Sequence, residues 1–385
     1  MNSKIATPAP QAVVASTVFD GEMCHRDSAV LIEGTTIAGI VSRQKLDPAT
    51  PAKVLPDGAW LAPGFIDCQV NGGGDVLFND ETTVDAIAAI ARAHRKFGTT
   101  SLLPTLITDT QEKMLAALLA ADHAAASIPG VAGVHIEGPF ISPEKPGVHN
   151  PKFIRTPTPR DLEMLTAPRK GVTLVTLAPE RVPPGFIAGL VSAGVRVSLG
   201  HSMATYQETK AALAEGLTGF THLFNAMRQP SSRDPGPVAA ALETAGAWYG
   251  MILDGEHVDP AMLRLALRGA AHPMLVTDAM PPIGGQKTSF TLYGHEIAMH
   301  DGRCTRADGT LAGAALDMAT AVRNCAGLLD VPLTQALRLA SAEPAAFLGL
   351  GEMLGRIAPG YRADMVAFDP GSMTIHDTWV AGEAT

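Results

Sequence analysis

The sequence predicts an α/β fold: a (β/α)8 TIM-type barrel with a small β-sandwich domain built from both chain ends. Three observations predict it. Eight apolar, β-rich segments recur between residues 64 and 278, most of them separated by helix-forming runs, and such alternation implies parallel strands joined by right-handed crossovers. These segments end in polar residues, as strands do at the rim where a barrel keeps its chemistry. The chain on either side is rich in short strands and turns. The glycine-rich G-x-G-x-x-G turn typical of an open doubly wound sheet is missing. The expected division is 1–61 and 353–385 for the two parts of the small β domain, and 62–352 for the barrel.

Residues 11–60 read QAVVASTVFDGE, SAVLIEGTTIAGIVS and AKVLPDGAWLAP, punctuated by Gly21, Gly34, Gly39 and Gly58, with no amphipathic helix. The barrel strands are then GFIDCQV (64–70), TSLLPTLI (100–107), AGVHIEG (132–138), VTLVTLA (172–178), VRVSLG (195–200), TGFTHLF (218–224), AWYGMIL (247–253) and PMLVTD (273–278). Runs such as VDAIAAIARAHRKFG and QEKMLAALLAADHAAA supply the helices between them. After the eighth strand, SFTLYGHEIAMHDGRCTRADGTLAG reads as inserted hairpins, followed by two helices, ALDMATAVRNCAGLL and LTQALRLASAEPAAFLGL. The tail GRIAPGYRADMVAFDPGSMTIHDTWVAGE returns to strands and is expected to join the N-terminal β unit.

Composition narrows the function. At 385 residues, with 46% hydrophobic and 17% charged residues, the chain can bury a large core. Its net charge of −9 argues against a nucleic-acid partner, whose phosphates need a basic face. Cys24, Cys68, Cys304 and Cys325 are scattered with no C-x-x-C pair, which suggests a reducing compartment. No apolar run reaches the ~18 residues of a membrane span, and prolines break the N-terminal stretch, so no membrane partner is expected and the cytoplasm is the expected location.

The polar strand ends carry Gln69 and Asn71, Thr108, Glu137, Pro179 and Glu180, His201, His222, Asp254 with His257, and Asp278. His201 ends VRVSLG and His222 ends TGFT, with the helix TYQETKAALAEG and its terminal Gly216 between them. Two imidazoles projected from adjacent strands suit a divalent metal. Glu137, inside the apolar run VAGVHIEGPF, would be costly to bury without a cation or hydrogen-bond partner. Glu137, His201 and His222 therefore form a two-histidine, one-carboxylate set that leaves a position open, as catalytic zinc sites do. Asp278 in LVTDAMPP reads either as a cap of the following turn or as a general base beside a metal-activated water. His135 shares a strand face with Glu137 and reads as a buried supporting group. His94 and His123, on helices, are expected at the surface, and His25 and His272 show no partner.

The motifs PGFIDCQVNG and GRIAPGYRADMVAFD, with the barrel between them, resemble the amidohydrolase superfamily. Within it, HIEGPFISPEKPGVHNP, LGHSMATYQE, GFTHLFNAM, DGEHVD and LVTDAM are similar to the N-acetylglucosamine-6-phosphate deacetylase family. The likeness runs from about residue 13 to residue 382. It implies a hydrolase that cleaves the acetamide of N-acetyl-D-glucosamine 6-phosphate to D-glucosamine 6-phosphate and acetate, in amino-sugar catabolism or recycling. By position, it implies metal ligation by Glu137, His201 and His222, and catalysis by Asp278 as base and then acid, with His149 against the acetyl carbonyl. Val148, Asn225 and Ala226 would line the sugar and phosphate site, Arg233 and His257 would meet the 6-phosphate, and Leu311, Ala312 and Gly313 would close over the substrate. A homodimer with a shared active site is implied, one phosphate contact crossing the interface.

One departure matters. Many amidohydrolases hold a second metal with D-x-H-x-H on the first strand, where this chain has Asp67-Cys68-Gln69-Val70-Asn71. Neutral amides are poor ligands for a borderline-soft ion. Gln69 and Asn71 thus stand as vestigial second-metal positions, and one divalent ion per subunit is expected. Zinc suits its ligands, with Fe2+, Mn2+ or Co2+ as alternatives. Two other readings stay open on residues alone: a metal-dependent amidohydrolase acting on a cyclic amide or an unphosphorylated N-acetyl sugar, and a barrel that has lost its chemistry.

Overall fold

A computed structural model describes residues 11–300 and 302–384. Eight parallel strands follow one another around the barrel in chain order: β1 Phe65–Val70, β2 Thr99–Ile107, β3 Gly133–Glu137, β4 Val172–Leu177, β5 Arg196–Leu199, β6 Gly219–Phe220, β7 Trp248–Ile252 and β8 His272–Val276. The barrel closes where β8 returns to β1. Asp278 N donates to Gln69 O and Asn71 N to Ala279 O, each at 3.0 Å. All eight sequence segments fall on these strands. The side chains of β1, β2 and β3 are buried throughout, because helices cover the outside while the barrel interior is filled.

Local signals place the crossovers. The helix Val84–Arg95 starts on Thr83, whose hydroxyl caps Ala86 N, and buries Ala86, Ile87, Ile90, Ala91 and His94 on one stripe. His94 is therefore not at the surface. Its spacing from Ile87 and Ile90 turns it inward, where Nε2 donates to the Gly72 carbonyl at 2.9 Å. Thr205 and Glu208 form a capping box for the helix Tyr206–Ala214. Gly216 follows that helix at φ +104°, a conformation L side chains seldom adopt. The two helices expected after the insertion are three, Met318–Leu329, Leu333–Leu339 and Ala342–Leu348. Pro344 lies in the first turn of the third, where a missing N–H costs nothing, and it cannot continue the second.

The chain ends build one further sheet. Strand Trp60–Pro63 pairs in parallel with Gln11–Phe19 and antiparallel with Met365–Phe368, so the N- and C-terminal segments share one ladder. This sheet folds over a core of Val13, Val30, Ile32, Leu61, Met365 and Trp379, giving the small sandwich. The expected division at residue 61 falls inside the Trp60–Pro63 strand. Each such buried aliphatic side chain contributes about 1.5–3 kcal/mol.

The insertion forms a four-stranded antiparallel sheet, Ser289–Leu292, His295–His300, Arg303–Thr305 and Leu311–Ala314. Two backbone hydrogen bonds tie it to the barrel mouth: Ala314 N to Asp278 O at 2.9 Å and Met280 N to Ala314 O at 3.1 Å. It stands over the carboxyl ends of the strands.

Candidate active site

A cleft of about 430 Å³ opens at the carboxyl ends of the strands, beneath the inserted sheet, with Glu137, His201, His222 and Asp278 in its wall. Glu137 is the last residue of β3, while His201, His222 and Asp278 each lie two residues beyond β5, β6 and β8. Those three have positive φ, +48°, +36° and +53°. Such backbone is strained for a residue with a side chain and clusters at functional sites. Here it turns each side chain inward from the end of its strand.

Three atoms converge. Glu137 Oε1 is 3.1 Å from His201 Nε2 and 3.1 Å from His222 Nε2, and the two nitrogens are 3.1 Å apart. His201 Nδ1 lies 2.8 Å from the Lys145 carbonyl, which only accepts. The proton of a neutral ring is therefore on Nδ1, and Nε2 turns its lone pair toward Glu137 Oε1, itself an acceptor. Lone pairs so opposed need a cation or a shared proton between them. Donor atoms on a tetrahedral ion with bonds of ~2.0–2.1 Å are about 3.3 Å apart, so the arrangement fits a divalent metal. Among the described residues, this trio is the one metal-competent group of histidine, cysteine or acidic side chains.

Asp278 stands beside the trio. Its Oδ1 accepts from Gln69 Nε2 at 3.1 Å and from Asn71 Nδ2 at 2.6 Å. Gln69 Nε2 also donates to Glu137 Oε2 at 3.2 Å, so one amide bridges both carboxylates. Burial, followed by the nearby Glu137 charge, raises the Asp278 carboxyl from 3.8 to about 6 in the metal-free protein. Asp67, below the rim, accepts from the Thr277 hydroxyl and from Gln69 N, and burial raises its carboxyl to about 7. It holds the turn and does not reach the trio.

His149 lies against His201 with ring centres 4.2 Å apart and planes tilted by 49°, and its Nδ1 meets the Thr108 hydroxyl at 2.7 Å. Burial first, and then His201, hold its imidazole well below the usual histidine range, so the ring is neutral. In the tautomer in which Thr108 donates to Nδ1, the Nε2–H is left to face the cleft, 4.0 Å from Glu137 Oε1. His135 is buried under Glu137, with Nε2 2.7 Å from the Thr176 hydroxyl.

Val148, Asn225, Ala226, His257, Leu311 and Gly313 line the same cleft. Ala312 is fully buried behind its neighbours. His257 Nδ1 meets Asp254 Oδ2 at 2.6 Å. Arg233 is exposed and outside the lining of this cleft. Its neighbour Asp234 pairs with Arg228, so Arg233 is not held by that aspartate. His25 and His272 have partners the sequence did not disclose, Asp20 and Glu343. The lining also includes Arg303 from the insertion, which reading the strand ends could not find. The only sequence signal was a basic residue a few positions before the Leu311–Gly313 segment.

Comparison with known proteins places this architecture. Residues 60–385 match the model of the amidohydrolase family. The chain is 40% identical over 372 residues to the N-acetylgalactosamine-6-phosphate deacetylase of Shewanella sp. (strain ANA-3), covering 96% of this chain and 91% of that protein. It is 36% identical over 369 residues to the N-acetylglucosamine-6-phosphate deacetylase of Haemophilus influenzae, covering 94% and 96%. The crystal structure of the N-acetylglucosamine-6-phosphate deacetylase from Pasteurella multocida superposes with a TM-score of 0.94 at 34% identity, over 98% of this chain and 99% of that one.

Proposed function

The chain belongs to the amidohydrolase family, and on that premise we propose that it hydrolyses the acetamide of N-acetyl-D-glucosamine 6-phosphate, releasing acetate and D-glucosamine 6-phosphate. The observation that carries this reading is the convergence of Glu137, His201 and His222 at 3.1 Å with Asp278 in the wall of the same cleft. The three would hold one divalent ion, with zinc expected. That ion would supply an activated water and polarise the amide carbonyl.

The chain's own groups do the rest. Asp278 takes the proton of the attacking water and returns it to the amine nitrogen, because an amine leaves only when protonated. His149, neutral and able to present an N–H, stabilises the developing oxyanion, a contribution of about 3 kcal/mol for one such donor. Gln69 and Asn71 hold Asp278 in place. The cleft, at about 430 Å³, suits a hexose phosphate. Arg233, exposed on its own subunit, would reach a phosphate from the partner copy of a homodimer.

The relatives favour a second reading of the sugar. The Shewanella protein, named for the galacto epimer, is the more similar of the two, at 40% against 36%. Amine release from the two N-acetylhexosamine 6-phosphates, measured side by side with the unphosphorylated sugars, tests both. Activity on neither phosphate ester would overturn the deacetylase reading and leave the barrel and its metal-shaped trio.

A further inference from the structure

A sugar phosphate brings about two negative charges into a cleft whose wall already holds Glu137 and Asp278. Among the described residues lining it, Arg303 is the one lysine or arginine. It comes from the inserted sheet, on the strand Arg303–Thr305, and its Nε is 3.1 Å from Glu256 Oε2. Glu256 immediately precedes His257, which lines the cleft and is fixed by Asp254. The ion pair is a loose one, with side chains 47% and 37% exposed, so water screens it and leaves it exchangeable. Arg306, three residues on, is committed elsewhere. It donates to the Val148 carbonyl at 3.1 Å and anchors the sheet on the opposite segment of the wall.

We propose that Arg303 receives the phosphate of the substrate, exchanging Glu256 for phosphate oxygens, and thereby sets the preference for phosphorylated over plain N-acetyl sugars. This rests on the deacetylase reading only for the identity of the ligand, and it holds for either epimer, because the phosphate is common to both. A guanidinium meets two phosphate oxygens at once, which a histidine cannot do. Glu256 serves as a placeholder that keeps the arginine aimed at the cleft until a stronger anion arrives.

The test uses the full-length, metal-loaded chain as wild type, Arg303→Met and Glu256→Gln. Rates are measured on N-acetylglucosamine 6-phosphate and on N-acetylglucosamine, beside calorimetric titration of glucosamine 6-phosphate. Arg303→Met should raise KM for the phosphate ester about 10- to 100-fold with kcat little changed, and the Kd of glucosamine 6-phosphate should rise in step. Glu256→Gln should leave that KM unchanged or lower it. Equal losses on both sugars in Arg303→Met, or a KM in Glu256→Gln raised as far as in Arg303→Met, would mean that the pair merely places the sheet, and would overturn the proposal. Arg303-dependent binding of glucosamine 6-phosphate without amine release from either sugar would support the proposal and sink the deacetylase reading instead.

Discussion

Replacing Asp278 by asparagine should cost activity and gain stability, and the structure sets the scale of both. Burial and the Glu137 charge raise the carboxyl from 3.8 to about 6. At about 1.36 kcal/mol per pH unit, the ionised form then costs the folded, metal-free protein about 3 kcal/mol at neutral pH. The sign follows from proton binding. Between about pH 4 and 6 the folded state keeps a proton that the unfolded state has lost, so stability falls as pH rises through that window and stays low above it. Asparagine removes the charge while its amide oxygen keeps both hydrogen bonds from Gln69 and Asn71, though these weaken once the acceptor is neutral. The metal-free variant should therefore be more stable than wild type at pH 7.5 by up to about 3 kcal/mol, and the difference should vanish near pH 4. Loss of the base should lower kcat by about 10²- to 10⁴-fold, with metal content unchanged because Asp278 is not among the three converging ligands. Denaturant melts of the chelated proteins at the two pH values, metal analysis and steady-state rates measure all of this. A chelated variant less stable than wild type at pH 7.5, or one turning over within tenfold of it, would refute the reasoning.

Chelation should abolish amine release and lower the melting temperature, since an ion at 100 times its Kd stabilises the folded state by about 2.7 kcal/mol. Restored ion should bind at one equivalent per chain, and two tight equivalents would contradict the vestigial role of Gln69 and Asn71. Gly313→Ala should lift the inserted sheet from the rim. At φ +61°, the new Cβ would meet Met280 Cε at 2.5 Å and the Asp278 carbonyl at 2.8 Å. A loss of roughly 1–3 kcal/mol in stability with a raised KM is expected, and a variant with wild-type melting and kinetics would count against the closing role of that segment.

Much of this was legible in the residues because each strand announces itself. Apolar β-rich runs, most of them separated by helix-forming stretches, mark all eight barrel strands, and the polar residues at the ends of most runs mark the rim. What stayed hidden depends on tertiary placement. Arg303 reaches the cleft only because a four-stranded insertion folds back over the barrel mouth, and no periodicity predicts that. The left-handed backbone at His201, His222 and Asp278 has no local signature either, since none of the three is a glycine or asparagine that would announce a positive φ. His94 reads as a surface group on charge alone, although its spacing from Ile87 and Ile90 shares the buried stripe. Arg233 could be assigned to phosphate only by likeness, and in this chain it is exposed.

Gln69 at the end of β1 and Asn71 just beyond it strengthen the case for a single ion. A histidine pair at residues 69 and 71 would present lone pairs to a second cation. Gln69 instead presents one NH2 whose two hydrogens are spent on two carboxylates, Glu137 Oε2 and Asp278 Oδ1. Asn71 adds another donor to the same Asp278 oxygen. These dipoles occupy the place between the carboxylates that a second positive charge would otherwise fill, and they leave Glu137 Oε1 alone to join the two histidine nitrogens. Both of these contacts fall on Oδ1 of Asp278. A carboxylate bridging two cations would be a far weaker base, because the positive charge would hold it ionised to lower pH. The exchange of histidines for amides thus supports a division of labour in which Glu137 is the ligand and Asp278 is free to move the proton.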